Sequence, residues 1–184
     1  MTILRYTLQT ILVVSFAYSV SFGQKDFSSN LLESAQGGDA SAQNELAIAY
    51  SEGLGIRPSQ RAAIHWFRKS ADQGYPLGAC NFGLHYGRGA GVRRNRTLMM
   101  KWVFVANSLD GLKCQPADYV ELFKPTECQV EKGWEMAVAW LKAHPDLKNN
   151  HGQRPWIEDG EYPVTIREQG SSVQFPIKGK RKCK

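Results

Sequence analysis

The sequence lacks the motifs that would mark an enzyme. It has no H-E-x-x-H zinc signature, no G-x-S-x-G nucleophile elbow and no phosphate-binding glycine loop. Its four cysteines, Cys80, Cys114, Cys128 and Cys183, form no C-x-x-C pair. Cys80 and His85 stand five residues apart, and His144 and His151 flank a loop. Neither pair supplies the three or four converging ligands of a metal site. No catalytic residue, metal or cofactor is expected. A membrane-spanning run is also missing: the apolar stretch Ile11–Phe22 falls well short of the about 20 residues that cross a bilayer.

That stretch has another reading. Arg5 precedes it, and Ser21 and Gly23 place small side chains at the −3 and −1 positions before Gln24. This is the layout of a secretory signal peptide over residues 1–23. No cysteine follows that would carry a lipid, so no stable membrane anchor is expected after cleavage. The product would be exported, periplasmic or secreted, and in an oxidising compartment. The formal net charge of +6 is local rather than spread. It gathers at Arg88, Arg93, Arg94, Arg96 and Lys101 and again at Lys178–Lys184. Basic loops without interleaved exposed aromatics, on an exported chain, argue against nucleic acid and for an acidic partner.

The segment Ser34–Ser108 says the same thing twice. Ser34, Ala35, Gly38, Tyr50, Gly53, Gly55 and Trp66 recur 36 residues later as Ser70, Ala71, Gly74, Tyr86, Gly89, Gly91 and Trp102. A period of this size indicates helical hairpins stacked in a solenoid. In the first copy Asp39 caps a helix bearing Ala42, Leu46, Ala47 and Tyr50 on one stripe, and Gly53-Leu54-Gly55 turns the chain. Ser59 then caps a second helix with Ala63, Trp66, Phe67 and Ala71 inward, ended at Gly74. The second copy opens at Tyr75-Pro76, turns at Gly89 and Gly91, and uses Asn95 as its cap. The aromatics Trp66, Phe67, Phe82, Tyr86, Trp102 and Phe104 fall at helical spacing and are expected mostly in the core.

The pattern A-x-x-x-L-A/G-x-x-Y-x-x-G-x-G, a short loop, then A-x-x-W-F-x-x-S-A-x-x-G resembles the Sel-one-like repeat (SLR), a relative of the tetratricopeptide repeat. Ala42, Leu46, Ala47, Tyr50, Gly53, Gly55, Ala63, Trp66, Phe67, Ala71 and Gly74 carry it, and Gly83, Tyr86, Gly89, Gly91, Trp102 and Ala106 keep it in the second copy. The second copy departs at Gly78, where alanine is usual, at Leu98, and at His85, where leucine or methionine is common. The resemblance implies an all-α, right-handed α/α solenoid that binds another protein through its concave face, as an adaptor or an immunity-type inhibitor. A cell-envelope enzyme of β-lactam-hydrolysing type and an envelope assembly factor are the alternatives. The repeated residues are scaffold, so partner-binding positions are sought on the first helices and where the copies differ: Glu45, Ile48, Glu52, Asn81, Leu84, His85, Arg88, Arg93 and Arg94.

The organisation expected is a repeat domain over 24–144, with repeats at about 38–73 and 74–109 and a terminal hairpin at 114–144, then a polar tail over 145–184. A short helix over Phe27–Gln36 would cover the first hairpin. Ala117–Phe123 and a longer helix from Pro125-Thr126-Glu127 to His144-Pro145, bearing Trp134 and Trp140, would close the other end. Alternation of Val164, Ile166, Val173, Phe175 and Ile177 suggests a β-hairpin within 162–177. Four cysteines allow three pairings. Cys114 and Cys128 flank one short helix and are the expected disulfide, with Cys80 either a small buried hydrophobe or the partner of Cys183. Expression with export should yield a chain that begins at Gln24 and keeps 161 of the 184 residues. Intact mass of the periplasmic product checks this, and an uncleaved mass would refute it.

Overall fold

The computed structural model describes residues 29–110, 114–147 and the strand segments 165–168 and 171–174. The signal-peptide expectation and the basic terminus lie outside these residues. Among the described residues seven helices follow in order: α1 (Ser29–Gln36), α2 (Ala40–Glu52), α3 (Gln60–Asp72), α4 (Pro76–Arg88), α5 (Arg96–Leu109), α6 (Pro116–Phe123) and α7 (Glu127–Ala143). Strands β1 (Thr165–Glu168) and β2 (Ser171–Gln174) pair antiparallel, with Thr165 opposite Gln174 and Ile166 opposite Val173. The fold is the all-α solenoid that the repeat implies, with this small hairpin added.

Four helices start where a side chain accepts from their free N–H groups, and α4 and α6 start with proline instead. Asp39, Ser59 and Asn95 accept from the N–H of Ala42, Ala62 and Leu98 at 2.6, 3.2 and 3.0 Å. Thr126 and Gln129 close a reciprocal capping box at the start of α7. The two repeats share their turn geometry bond for bond. Gly53 N–H reaches the Ala49 carbonyl at 2.8 Å and Ser59 N–H the Tyr50 carbonyl at 2.8 Å. Gly89 to His85 and Asn95 to Tyr86 repeat these at 2.8 and 3.0 Å. Gly53 and Gly89 sit at φ of 76° and 75°, a left-handed conformation that costs any residue with a side chain.

Consecutive helices from α1 to α5 pack in antiparallel pairs, and α4 also lies beside α2. The buried amide of Gln43 ties the first repeat together: it donates to the Ala35 carbonyl at 3.1 Å and accepts from the exposed Gln73 at 2.8 Å. Ser70, fully buried, donates to the Ala40 carbonyl at 2.6 Å. The same serine explains the departure at Gly78, where a Cβ would collide with the Ser70 side chain. At Gly83 a Cβ would stand 3.0 Å from the Met99 carbonyl oxygen, so α4 and α5 approach nearly backbone to backbone.

Helix α7 takes the place of a third second-helix. It packs along α5, with Trp134 on Phe104 at 5.2 Å and Trp140 on Trp102 at 5.4 Å between ring centroids. Gly133 permits this, since a Cβ there would come within 2.6 Å of Met100 Cβ. The cover is visible in how the copies differ. Arg68 and Lys69 are exposed on α3, and their counterparts on α5, 36 residues on, are the buried Phe104 and Val105.

The expected Cys114–Cys128 bridge is not formed; Cys80 is bonded to Cys114. The geometry follows from the hairpin. Because α4 and α5 run antiparallel, Cys80 near the start of α4 meets Cys114 just past the end of α5, with Cα atoms 6.0 Å apart. Helix α6, eight residues and so roughly 12 Å long, carries the chain away before Cys128 is reached in the first turn of α7. Cys128 is disulfide-bonded as well. Closing a loop of 34 residues stabilises by about 4 kcal/mol in the chain-entropy model. The double variant Cys80→Ala/Cys114→Ala should lose most of this in chemical denaturation, and non-reducing peptide mapping should link the Cys80 and Cys114 peptides.

Candidate functional site

Positions 36 residues apart land on neighbouring helices, so the candidate binding residues of the two copies form one face across α2 and α4. Glu45, Ile48 and Glu52 follow at spacings of three and four along α2, and Asn81, Leu84 and Arg88 do the same along α4. Glu45, Glu52 and Arg88 are exposed, whereas Ile48 and Leu84 are half-buried. Asn81 Nδ2 donates to Asn44 Oδ1 at 2.9 Å, which holds the two helices side by side. The one ion pair among the described residues is Arg68–Asp72, on α3. Glu45, Glu52 and Arg88 therefore have no ion-pair partner among them.

Helix α6 borders this face on the α4 side. Tyr119 Oη lies 2.9 Å from Cys80 Sγ, and its ring stacks on Phe123. Phe123 rests against Gly87, where a Cβ would stand 3.0 Å from the ring. Burial raises the Tyr119 phenol above its usual pKa, and nearby Arg88 opposes that shift. The border is thus an uncharged aromatic wall beside a face that carries charges of both signs.

His85 does not belong to the exposed set. It is buried at 6% exposure, its Nδ1–H donates to the Ala90 carbonyl at 3.1 Å, and its ring packs on Phe67 at 4.9 Å. The imidazole braces the Gly89–Gly91 turn rather than meeting a partner. Burial lowers its pKa, the turn hydrogen bond opposes this, and Arg88 lowers it further. A base whose folded pKa is depressed favours folding while neutral. Its contribution is present above the ordinary histidine value of about 6.5 and is lost as pH falls below it. The unfolding midpoint should therefore drop between pH 7.5 and 5.5. His85→Leu should flatten that dependence while losing about 1 kcal/mol at neutral pH with its hydrogen bond, as read by denaturation at both pH values.

The basic cluster around Arg88–Lys101 divides into three parts. Arg88, exposed in the last turn of α4, belongs to the row that forms the α2/α4 face. Lys101 lies over the rings of Trp102 and Trp140, at 4.1 and 5.9 Å from their centroids, so its charge is spent on the α5–α7 seam. Arg93, Arg94 and Arg96 line an open pocket of about 640 Å³ with Tyr86, Val92 and Leu98, and Gln129 of α7 forms its far wall. Sequence spacing gave no hint of Gln129, whose visible role is the capping box.

The comparisons agree with this geometry. The Sel1 repeat family matches residues 40–75 and 76–102. One solved structure similar to this one is a protective antigen present in uropathogenic Escherichia coli strains and displaying an SLR fold, with a TM-score of 0.56 and 24% identity. The alignment covers 61% of this chain and 24% of that one. Another is a Sel1 repeat protein from Oxalobacter formigenes, with a TM-score of 0.47 and 22% identity over 77% of this chain and 57% of that one. The chain thus spans less than two thirds of either relative. No curated protein matches. Sel1 repeats generally serve as protein-interaction scaffolds and are generally non-enzymatic. With α2–α3 and α4–α5 forming the two hairpins, the chain has an SLR fold, and residues 40–75 and 76–102, about a third of its length, match the Sel1 repeat.

Proposed function

We propose that this is an exported binding module that captures another protein across the α2/α4 face, as an adaptor or an immunity-type inhibitor in the periplasm. The observation that carries the reading is the state of that face. Glu45, Glu52 and Arg88 stand exposed without ion-pair partners among the described residues, around the half-buried apolar pair Ile48 and Leu84. An apolar centre with a charged rim is the usual anatomy of a specific interface, and unpaired rim charges steer association. Export is supported by the signal-peptide layout and by the Cys80–Cys114 disulfide. Among the described residues no helix is long and apolar enough to cross a membrane.

The envelope-enzyme alternative has no nucleophile and base at working distance among the described residues to support it. The assembly-factor alternative would place recognition in the tail. The mature chain, immobilised and exposed to its native envelope extract, should retain a partner identified by mass spectrometry. Glu45→Lys/Glu52→Lys/Arg88→Glu should cut that capture at least tenfold, while Arg68→Glu on α3 should leave it intact. Capture that survives the triple reversal but fails on deleting residues 146–184 would instead indicate the tail.

A further inference from the structure

We propose that the pocket between the α4–α5 turn and the start of α7 binds an acidic peptide segment, one with carboxylates flanking an apolar side chain. This rests on the reading that the chain binds another protein, and it names the chemistry of one part of that partner. Three observations support it. First, Arg93, Arg94 and Arg96 all line the pocket, and no carboxylate does. None of the three has an ion-pair partner among the described residues. Three like charges gathered at one site make a positive potential that attracts an anion.

Second, Arg96 Nε is buried and has no hydrogen-bond partner among the described residues. A buried N–H without an acceptor is uncommon in folded proteins. If the Arg96 side chain turns outward, a carboxylate can accept from Nε and a terminal nitrogen together, the bidentate arrangement to which arginine is suited. The two neighbouring side-chain acceptors already accept elsewhere, Asn95 Oδ1 from the Leu98 N–H and Gln129 Oε1 from the Thr126 N–H, and neither bonds Arg96 Nε.

Third, the remaining lining is apolar or neutral. Tyr86 and Leu98 are half-buried, and they offer contact area that inorganic phosphate could not cover. The volume of about 640 Å³ is within the range of ligand pockets, about 300–1,000 Å³. Extended peptide carrying acidic and apolar side chains fits all three features.

Isothermal titration of the mature protein with the peptide EDFED, and with its amide counterpart QNFQN, tests this. EDFED should bind at least tenfold more tightly, and its affinity should fall as salt rises. Arg93→Ala/Arg94→Ala removes two exposed side chains and should weaken EDFED about tenfold or more, with circular dichroism confirming the fold. Arg96→Lys keeps the charge but removes the Nε–H, and should weaken EDFED several-fold. Glu45→Lys/Glu52→Lys should leave EDFED binding unweakened, which separates this inference from the α2/α4 face. Equal binding of the two peptides, indifference to the arginine substitutions, displacement of EDFED by equimolar pyrophosphate, or preference for phosphatidylglycerol vesicles would each overturn the proposal.

Discussion

Helix α5 is surrounded. From Met99 to Ala106 every side chain but Lys101 is buried, because α4, α6 and α7 all pack on it. A helix apolar on all sides cannot sit at a surface, so the second repeat is stable only with its cover in place. Two glycines set how closely the cover can come, Gly83 on α4 and Gly133 on α7. A larger residue at either would push apart helices whose contacts are worth about 1.5–3 kcal/mol for each large side chain buried. By contrast α3 remains amphipathic, with Arg61, His65, Arg68 and Lys69 exposed. The two repeats are alike in backbone and unlike in what their second helices face.

That contrast limits how differences between the copies can be interpreted. Arg68 against Phe104 and Lys69 against Val105 record the docking of α7, and Asn81 against Glu45 serves the bond to Asn44, whereas Glu52 against Arg88 falls on side chains left exposed and without an ion-pair partner among the described residues. His85, which replaces Ala49 of the first copy, belongs with the structural differences because its partner is the Ala90 carbonyl in its own turn. A mismatch points to function only where the surrounding structure leaves it unused.

The helices and turns were legible in the sequence because their determinants are local. Asp39, Ser59 and Asn95 cap within three residues, and the glycines at 53 and 89 act on their own backbone. What could not be read depends on distant approach. The Cys80–Cys114 bond follows from the antiparallel course of α4 and α5, and flanking a short helix was a misleading guide to pairing. The arginine pocket was half legible: its charges are contiguous in sequence, but Gln129 comes from a helix that begins 31 residues after Arg96. Gly133 reveals its purpose only once Met100 is seen against it.

The seam between α5 and α7 also gives the molecule an internal optical reporter. Trp102 and Trp140 meet edge to face with the Lys101 ammonium above both, while Trp66 stands apart on α3 beside Lys69. Burial lowers the pKa of Lys101, so the cation there is partly desolvated and electrically close to both indoles. If α7 lifts away, the paired indoles separate and meet water, and the emission of Trp102 and Trp140 shifts while that of Trp66 does not. With Trp134, which packs on Phe104 in the same seam, they report opening of the cap, whereas Trp66 reports melting of the first repeat.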